Sequence, residues 1–98
     1  MHVALICKDK PGHLQVRLDT RPAHVEFLKA LNADGKIAFA GPMIGADGNP
    51  EGSLVVLSVD SVDAARDIAA QDPYALAGLF ATVDISQWNW TINAPGAS

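Results

Sequence analysis

This 98-residue chain contains four short apolar stretches and two longer helical segments between them. The order of these segments constrains the fold more than any single residue does. Short apolar or alternating runs predict β-strands over residues 2–8, 37–44, 53–59 and 80–92. One helix is predicted after the first strand and another after the third, which gives the order βαββαβ. This order is typical of the ferredoxin-like α+β fold, a four-stranded antiparallel sheet with helices on one face.

Three residues predict the ends of the first helix. Thr20 is expected to cap it, Pro22 fits its first turn, and Gly35 fits the position after its last turn. Turn residues at 47–50 separate the second and third strands, so these two strands are predicted to form a hairpin.

The second helix is predicted to start at a cap residue, Ser61. The Asp72-Pro73 step predicts the start of a further helical turn that reaches about residue 79. The apolar residues of the second helix form one stripe that is expected to face the sheet, namely Val62, Ala65, Ile68 and Ala69.

Residues 1–98 are predicted to form a single domain, with 93–98 as a loose tail of small residues. Hydrophobic residues make up 49% of the chain, more than a domain of this size readily buries. The third strand is apolar on both faces, with Leu54 and Val56 on one and Val55 on the other. We therefore expect a second copy to cover the sheet face that has no helices, forming a homodimer.

Charge and cysteine content exclude several classes of protein. The net charge is −4 and the seven basic residues are scattered, so no surface for a nucleic acid is expected. The single cysteine, Cys7, excludes an internal disulfide and a Cys-pair zinc motif, and we expect it to be a core residue. No signal-like or membrane-spanning stretch is present, so we expect a cytoplasmic protein with no membrane partner.

One histidine is predicted on the buried face of the first helix. His24, Phe27, Leu28 and Leu31 follow the spacing i, i+3, i+4, i+7, so His24 is expected to point to the sheet from the first helical turn. The structural interpretation is a half-buried histidine that donates to a backbone carbonyl. The functional interpretation is a general base, since a helix N-terminus disfavours the charged imidazolium.

Asp72 also has two interpretations. As the residue before Pro73 it is suited to cap the helical turn that follows. Alternatively, its carboxylate bonds one ring nitrogen of His24 and so fixes the tautomer of the imidazole and raises its basicity.

Four short motifs are spaced along the chain: Leu5-Ile6-Cys7-Lys8-Asp9-Lys10-Pro11-Gly12, Arg21-Pro22-Ala23-His24, Ala40-Gly41-Pro42 and Asp72-Pro73-Tyr74. Together these motifs resemble the YciI-like (YCII-related) family over nearly the whole chain. The resemblance implies a ferredoxin-like dimer of the dimeric α/β-barrel kind and a His–Asp site that falls on His24 and Asp72. The family has been linked to dehydrochlorination of a chlorinated hydroxyquinone, and its wider superfamily includes lactone isomerases and monooxygenases.

Six further residues are candidates for contacting a small-molecule ligand: Arg17, Arg21, Gly41, Pro42, Ser58 and Tyr74. The two arginines suit a carboxylate or a phenolate, although isolated arginines are often only solvated. The Gly-Pro step either lets the chain approach a ligand closely or marks a bulge or kink. The serine offers a hydroxyl group, and the tyrosine either lines the pocket or packs in the core.

No metal or other cofactor is predicted. His2, His13 and His24 lack the tight spacing of metal ligands, and the chain has no glycine-rich phosphate loop or dinucleotide fingerprint. Trp88 and Trp90 share one face of the last strand, where they either pack against the core or a dimer partner or stack on an aromatic ligand.

Two functions follow from these residues. The first is a small cofactor-independent enzyme that uses His24 and Asp72 for proton transfer, in an elimination or isomerisation of a cyclic or aromatic small molecule. The alternative is a dimeric module that binds or senses a small molecule without transforming it. A third interpretation makes the dimer a scaffold that recruits partners.

Overall fold

The computed structural model describes residues 1–96 and contains a single antiparallel sheet. The elements are β1 His2–Asp9, α1 Leu14–Ala33, β2 Ile37–Ile44, β3 Pro50–Ser58, α2 Val62–Gln71, α3 Pro73–Leu76 and β4 Phe80–Trp88. The strand order is β2-β3-β1-β4, so the two strands that precede the main helices lie side by side in the centre. This arrangement confirms the predicted ferredoxin-like fold.

Helix α1 begins earlier than predicted. It starts at Leu14, so Thr20 is not its cap, and Pro22 lies inside the helix. The two turns before Pro22 carry Arg17, whose buried ion pair with Asp9 anchors them to β1 and outweighs the helix-breaking tendency of the proline. His24 therefore lies in the middle of α1, and the predicted influence of the helix N-terminus on its charge is wrong.

The predicted end of α1 at Gly35 is confirmed. Gly35 has a φ of +73°, which an L side chain adopts only with strain. Its N–H donates to the carbonyl of Asn32, and the N–H of Lys36 donates to that of Leu31. These two bonds form a Schellman motif, which satisfies the last carbonyls of the helix.

The starts of α2 and α3 agree with the prediction, but α3 ends at Leu76 rather than near residue 79, because the chain turns at Gly78, which has a φ of +73°. The hydroxyl of Ser61 accepts a hydrogen bond from the N–H of Ala64 at 3.0 Å and so caps α2. Asp72 caps α3 in the same way, since its Oδ1 accepts from the N–H of Tyr74 at 2.9 Å. This junction places Asp72 beneath α1.

The core lies between the helices and one face of the sheet. Its buried members are Val3, Leu5, Cys7, Val55, Leu57 and Ala65. The predicted stripe of α2 packs here, because Val62, Ile68 and Ala69 all contact this cluster. Cys7 is 3% exposed, which confirms that it is a core residue.

The other face of the sheet, called the open face below, carries Ala4, Ile6, Phe39, Leu54 and Val56, which alternate along the strands with the core residues.

Strand β4 is shorter than predicted. It ends at Trp88 rather than at Ile92, because β1 begins at His2, opposite Trp88, and offers no further partner. The chain then crosses the open face, and Trp90 packs edge-on against Phe39 of β2 with ring centroids 4.9 Å apart. Of the predicted tail 93–98, residues 97 and 98 lie outside the described residues.

The aromatic residues of the open face pack against one another. Phe39 contacts Trp88 as well as Trp90, and His2 lies edge-on to both tryptophans. Val56 is 2% exposed although it has no helix above it. The structure therefore places both tryptophans in packing contacts on this face.

No helix within residues 1–96 is both long enough and apolar enough to cross a membrane.

Candidate active site

His24 and Asp72 meet on the helix side of the sheet. Nδ1 of His24 lies 2.8 Å from Oδ1 of Asp72, and the two residues are 8% and 7% exposed. Because Oδ1 also accepts the N–H of Tyr74, the capping role and the histidine-orienting geometry of Asp72 occur together.

The hydrogen bond to Asp72 determines which imidazole nitrogen faces a ligand. An ionised carboxylate only accepts hydrogen bonds, so Nδ1 of His24 carries the proton of the neutral ring. His24 lines a cavity, whereas Asp72 lies behind it. Nε2, on the other side of the ring, is therefore the nitrogen that presents a lone pair to the cavity.

The cavity lies between α1 and the β2–β3 hairpin and has a volume of about 360 Å³. Its apolar wall includes Leu18, Val25, Leu28, Ile44 and Val55. Its polar groups belong to Arg17, Arg21, His24, Ser53 and Tyr74. No aspartate or glutamate of residues 1–96 lines it, although the chain carries a net charge of −4. The cavity therefore suits an apolar molecule with negatively charged or electron-rich oxygens.

Arg17 is held by the protein itself. Its Nε and Nη2 donate to the two carboxylate oxygens of Asp9 at 2.6 and 2.9 Å, and Nη2 also donates to the hydroxyl of Ser53 at 3.0 Å. Burial alone would lower the pKa of Arg17, but the hydrogen bonds and charge of Asp9 outweigh it and raise that pKa. Arg17 lines the cavity as a fixed, fully charged group that is 4% exposed.

Tyr74 joins Arg17 to His24. Its ring is stacked on the imidazole with centroids 3.9 Å apart and an angle of 17° between the planes. The guanidinium carbon of Arg17 lies 4.5 Å from the centre of the same ring. Burial raises the pKa of Tyr74, so its hydroxyl group stays protonated at neutral pH. Tyr74 both packs in the interior and lines the cavity.

The remaining predicted residues divide into two groups. Arg21 is exposed at the cavity and makes no ion pair within residues 1–96, so its charge is available to a ligand.

Gly41 and Pro42 line the cavity, but a side chain at position 41 would point to the open face, since its register partner is Leu54. The strand runs in register through both residues, so this step contains no kink or bulge, and a close approach of the backbone to a ligand stays a prediction.

Ser58 is not brought to the site, and Ser53 lies there instead. Ser58 is exposed on the open face, opposite His2. Alternation gives the reason, because positions 53, 55 and 57 face the helices and position 58 has the opposite parity. A serine at an inward-facing position between apolar residues was the signal that identifies Ser53. Asp9, at the end of β1, was also missed as the partner of Arg17.

The other two histidines lie apart from the cavity. His13 bonds the carbonyl of Pro11 through Nδ1, and His2 packs with the tryptophans. Within residues 1–96 no group of three His, Cys, Asp or Glu side chains is placed to hold a metal ion.

Fold and site together define a class of protein, a ferredoxin-like domain in which a histidine of the first helix meets an aspartate that follows the second. The profile of the YCII-related domain matches residues 1–89. The chain is 35% identical over 91 residues to protein YciI of Escherichia coli O6:H1, covering 87% of this chain and 93% of that protein. This chain belongs to the YCII-related, or YciI-like, family.

Two further comparisons agree. An uncharacterised protein of Haemophilus influenzae is 38% identical over 89 residues, which cover 85% of this chain and 91% of that protein. Among solved structures, a 5-chloro-2-hydroxyhydroquinone dehydrochlorinase from Burkholderia phenoliruptrix superposes with a TM-score of 0.84 at 36% identity. The superposition covers 91% of this chain and 94% of that enzyme, which was solved in complex with 2,5-dihydroxybenzoquinone.

Proposed function

We propose that this protein is a cofactor-independent enzyme that transfers a proton on a cyclic or aromatic small molecule, with His24 as the base and Asp72 as its orienting partner. The observation that carries the proposal is the 2.8 Å contact between these two buried side chains at the wall of a cavity. The similarity to a dehydrochlorinase over most of both chains supports an elimination as the reaction.

In the proposed reaction Nε2 of His24 accepts a proton from the ligand. The carboxylate of Asp72 then stabilises the imidazolium that forms. A well-placed base of this kind contributes about 10² to 10⁴ in rate. In an elimination of HCl from a chlorinated hydroxylated ring, the ring loses one proton to Nε2 and releases its chlorine as chloride, so no external oxidant or reductant is required.

The polar groups of the cavity support a ligand with an oxyanion. Arg21 is exposed at the cavity, and no carboxylate lines the walls within residues 1–96. We therefore propose that Arg21 binds the phenolate or carboxylate oxygen of the ligand, while the apolar wall contacts its ring.

Chloride release from 5-chloro-2-hydroxyhydroquinone tests the proposal directly. We expect turnover by the wild-type protein and a loss of about 10² to 10⁴ in kcat for His24→Gln. His13→Gln is the matched control, because His13 lies outside the cavity. Equal rates for wild type and His24→Gln would remove His24 from the mechanism. Binding of 2,5-dihydroxybenzoquinone with no turnover of chlorinated hydroxyquinols would favour the alternative, a binding or sensing module.

We also propose that two copies pair through the part of the open face that the C-terminal segment leaves uncovered. Ile6 is 37% exposed there, although it lies in a central strand. Apolar side chains exposed on a sheet face are typical of an interface. The fold is of the type from which dimeric α/β barrels are built, which supports this arrangement.

A further inference from the structure

We propose that Arg17 is a positioning residue that fixes the imidazole of His24 through the ring of Tyr74, and that Arg21 rather than Arg17 is the main contact of the ligand anion. The inference rests on the proposed use of His24 as a base. It assigns different tasks to the two arginines of the cavity, since Arg17 is held by Asp9 whereas Arg21 makes no ion pair within residues 1–96.

The spacing between Arg17 and His24 on α1 leaves room for the ring of Tyr74. Arg17 and His24 are seven residues apart, so they share one face of the helix and are separated by about 10 Å along its axis. The ring of Tyr74 is 3.9 Å from the imidazole and 4.5 Å from the guanidinium carbon, so it fills the space between them. The imidazole, the tyrosine ring and the guanidinium are thus in consecutive contact, an arrangement called the column below.

Three of the five N–H groups of Arg17 are used within the protein, and Nη1 makes no hydrogen bond within residues 1–96. Its fork binds both oxygens of Asp9, and one of the same nitrogens also binds Ser53. A ligand that binds Nε and Nη2 together would have to displace the carboxylate of Asp9, whose side chain is only 6% exposed. The ion pair therefore holds the guanidinium over the ring of Tyr74, with its carbon 4.5 Å from the ring centre.

The column restricts a rotation of the His24 imidazole that the hydrogen bond to Asp72 leaves free. One hydrogen bond at Nδ1 sets the direction of the imidazole but not the rotation of the ring plane about that bond. Stacking at 17° on Tyr74 fixes the plane, and the backbone N–H of Tyr74 bonds the same oxygen of Asp72. Arg17 and the edge of Phe80 in turn hold the tyrosine ring. Nε2 is thereby aimed into the cavity before a ligand arrives.

Imidazole ¹⁵N NMR of the ligand-free protein tests the positioning. In the wild-type protein we expect separate signals for a protonated Nδ1 and an unprotonated Nε2 of His24. Tyr74→Phe keeps the ring and should keep this pattern, whereas Tyr74→Leu removes the ring and should move the two signals toward each other as tautomers and ring orientations exchange. Signals of Tyr74→Leu that coincide with those of the wild type would overturn the proposal.

Ligand affinity tests the division between the arginines, with 2,5-dihydroxybenzoquinone as the probe. We expect Arg21→Gln to raise its Kd at least about tenfold, since a charge-assisted hydrogen bond to the ligand is lost. Asp9→Asn combined with Arg17→Met, which removes both buried charges, should raise the Kd less than about twofold and lower kcat for chloride release. An equal rise in Kd for both proteins would make Arg17 a ligand contact and contradict the proposal.

Arg17→Lys provides a second variant if the double substitution impairs folding. Lysine still pairs with Asp9 as a point charge but cannot lie flat on the tyrosine ring. We expect the ¹⁵N pattern of His24 to shift while the Kd stays within about twofold of the wild type. If the wild-type protein neither binds the probe nor releases chloride, the proposed function fails, yet the ligand-free NMR comparison still decides the role of Arg17.

Discussion

Asp72 holds the imidazole of His24 through Oδ1, the same carboxylate oxygen that caps helix α3. The two residues are 48 positions apart in the chain, and the contact exists because α1 passes over the junction of α2 and α3. A single oxygen thus joins the geometry of the site to the stability of the fold.

Substitution of Asp72 should therefore affect stability in two separable steps. Asp72→Ala removes the cap and leaves the buried imidazole without its partner, so we expect a loss of about 2–4 kcal/mol in the free energy of unfolding. Asp72→Asn retains a capping oxygen and should lose less, by about 1 kcal/mol. Ser61→Ala is the control in urea denaturation, because it removes a helix cap that has no histidine partner. An equal loss for Asp72→Ala and Ser61→Ala would mean that the imidazole contributes nothing.

The buried thiol of Cys7 predicts a loss of stability at alkaline pH. Burial, supported by the charge of Asp72, raises the pKa of Cys7 from 9.0 to about 12. Above about pH 9 the unfolded chain releases this proton while the folded protein retains it, so the free energy of unfolding falls with rising pH. The slope should be smaller for Cys7→Ala. Urea denaturation of both proteins at a series of pH values above 8 measures it, and identical slopes would contradict the assigned burial.

Gly52 is predicted to be intolerant of a side chain, whereas Gly41 is tolerant. A Cβ at position 52 would lie 2.6 Å from the carbonyl oxygen of Cys7, part of the neighbouring strand, and 2.5 Å from Met43. Gly52→Ala should therefore destabilise the protein by about 1–3 kcal/mol. A Cβ at position 41 meets nothing within 4 Å, so Gly41→Ala serves as the control on the same sheet. Equal thermal midpoints for the two variants would show that β1 and β3 separate easily at this point.

A charge on the open face should dissociate the proposed dimer. Ile6 lies beside Leu54 and Asp84 in the register, so Ile6→Glu adds a second carboxylate to an apolar patch and should give a monomer at micromolar concentration. Leu76→Glu is the control, because Leu76 is 75% exposed on α3. Sedimentation equilibrium distinguishes the two proteins. A wild-type protein that is already monomeric would refute the dimer itself.

Local patterns predicted all four strands and α2 because their signals are short-range, although β3 begins at Pro50 rather than Ser53 and β4 ends at Trp88 rather than Ile92. The alternation in β3 and the cap at Ser61 depend only on neighbours in the chain. The start of α1 was not predictable in this way, since the ion pair between Arg17 and Asp9 overrides the preference of Pro22 for a first turn.

The candidate site was predictable in its residue types but not in its geometry. His24 is the polar member of an apolar stripe, and Asp72 precedes a proline, so each was visible in the sequence. Their contact, and the inclusion of Ser53 and Asp9, depend on which strands are neighbours and on the register between them. That information is tertiary, and no local preference encodes it.

The C-terminal segment that crosses the open face determines which part of this protein tryptophan fluorescence reports on. Both tryptophans of the chain, Trp88 and Trp90, lie on that face, and neither lines the cavity on the helix side. Indole emission therefore senses the open face, the uncovered part of which is proposed to bind a second copy. A ligand in the cavity lies on the other side of the sheet and makes no direct contact with either indole ring.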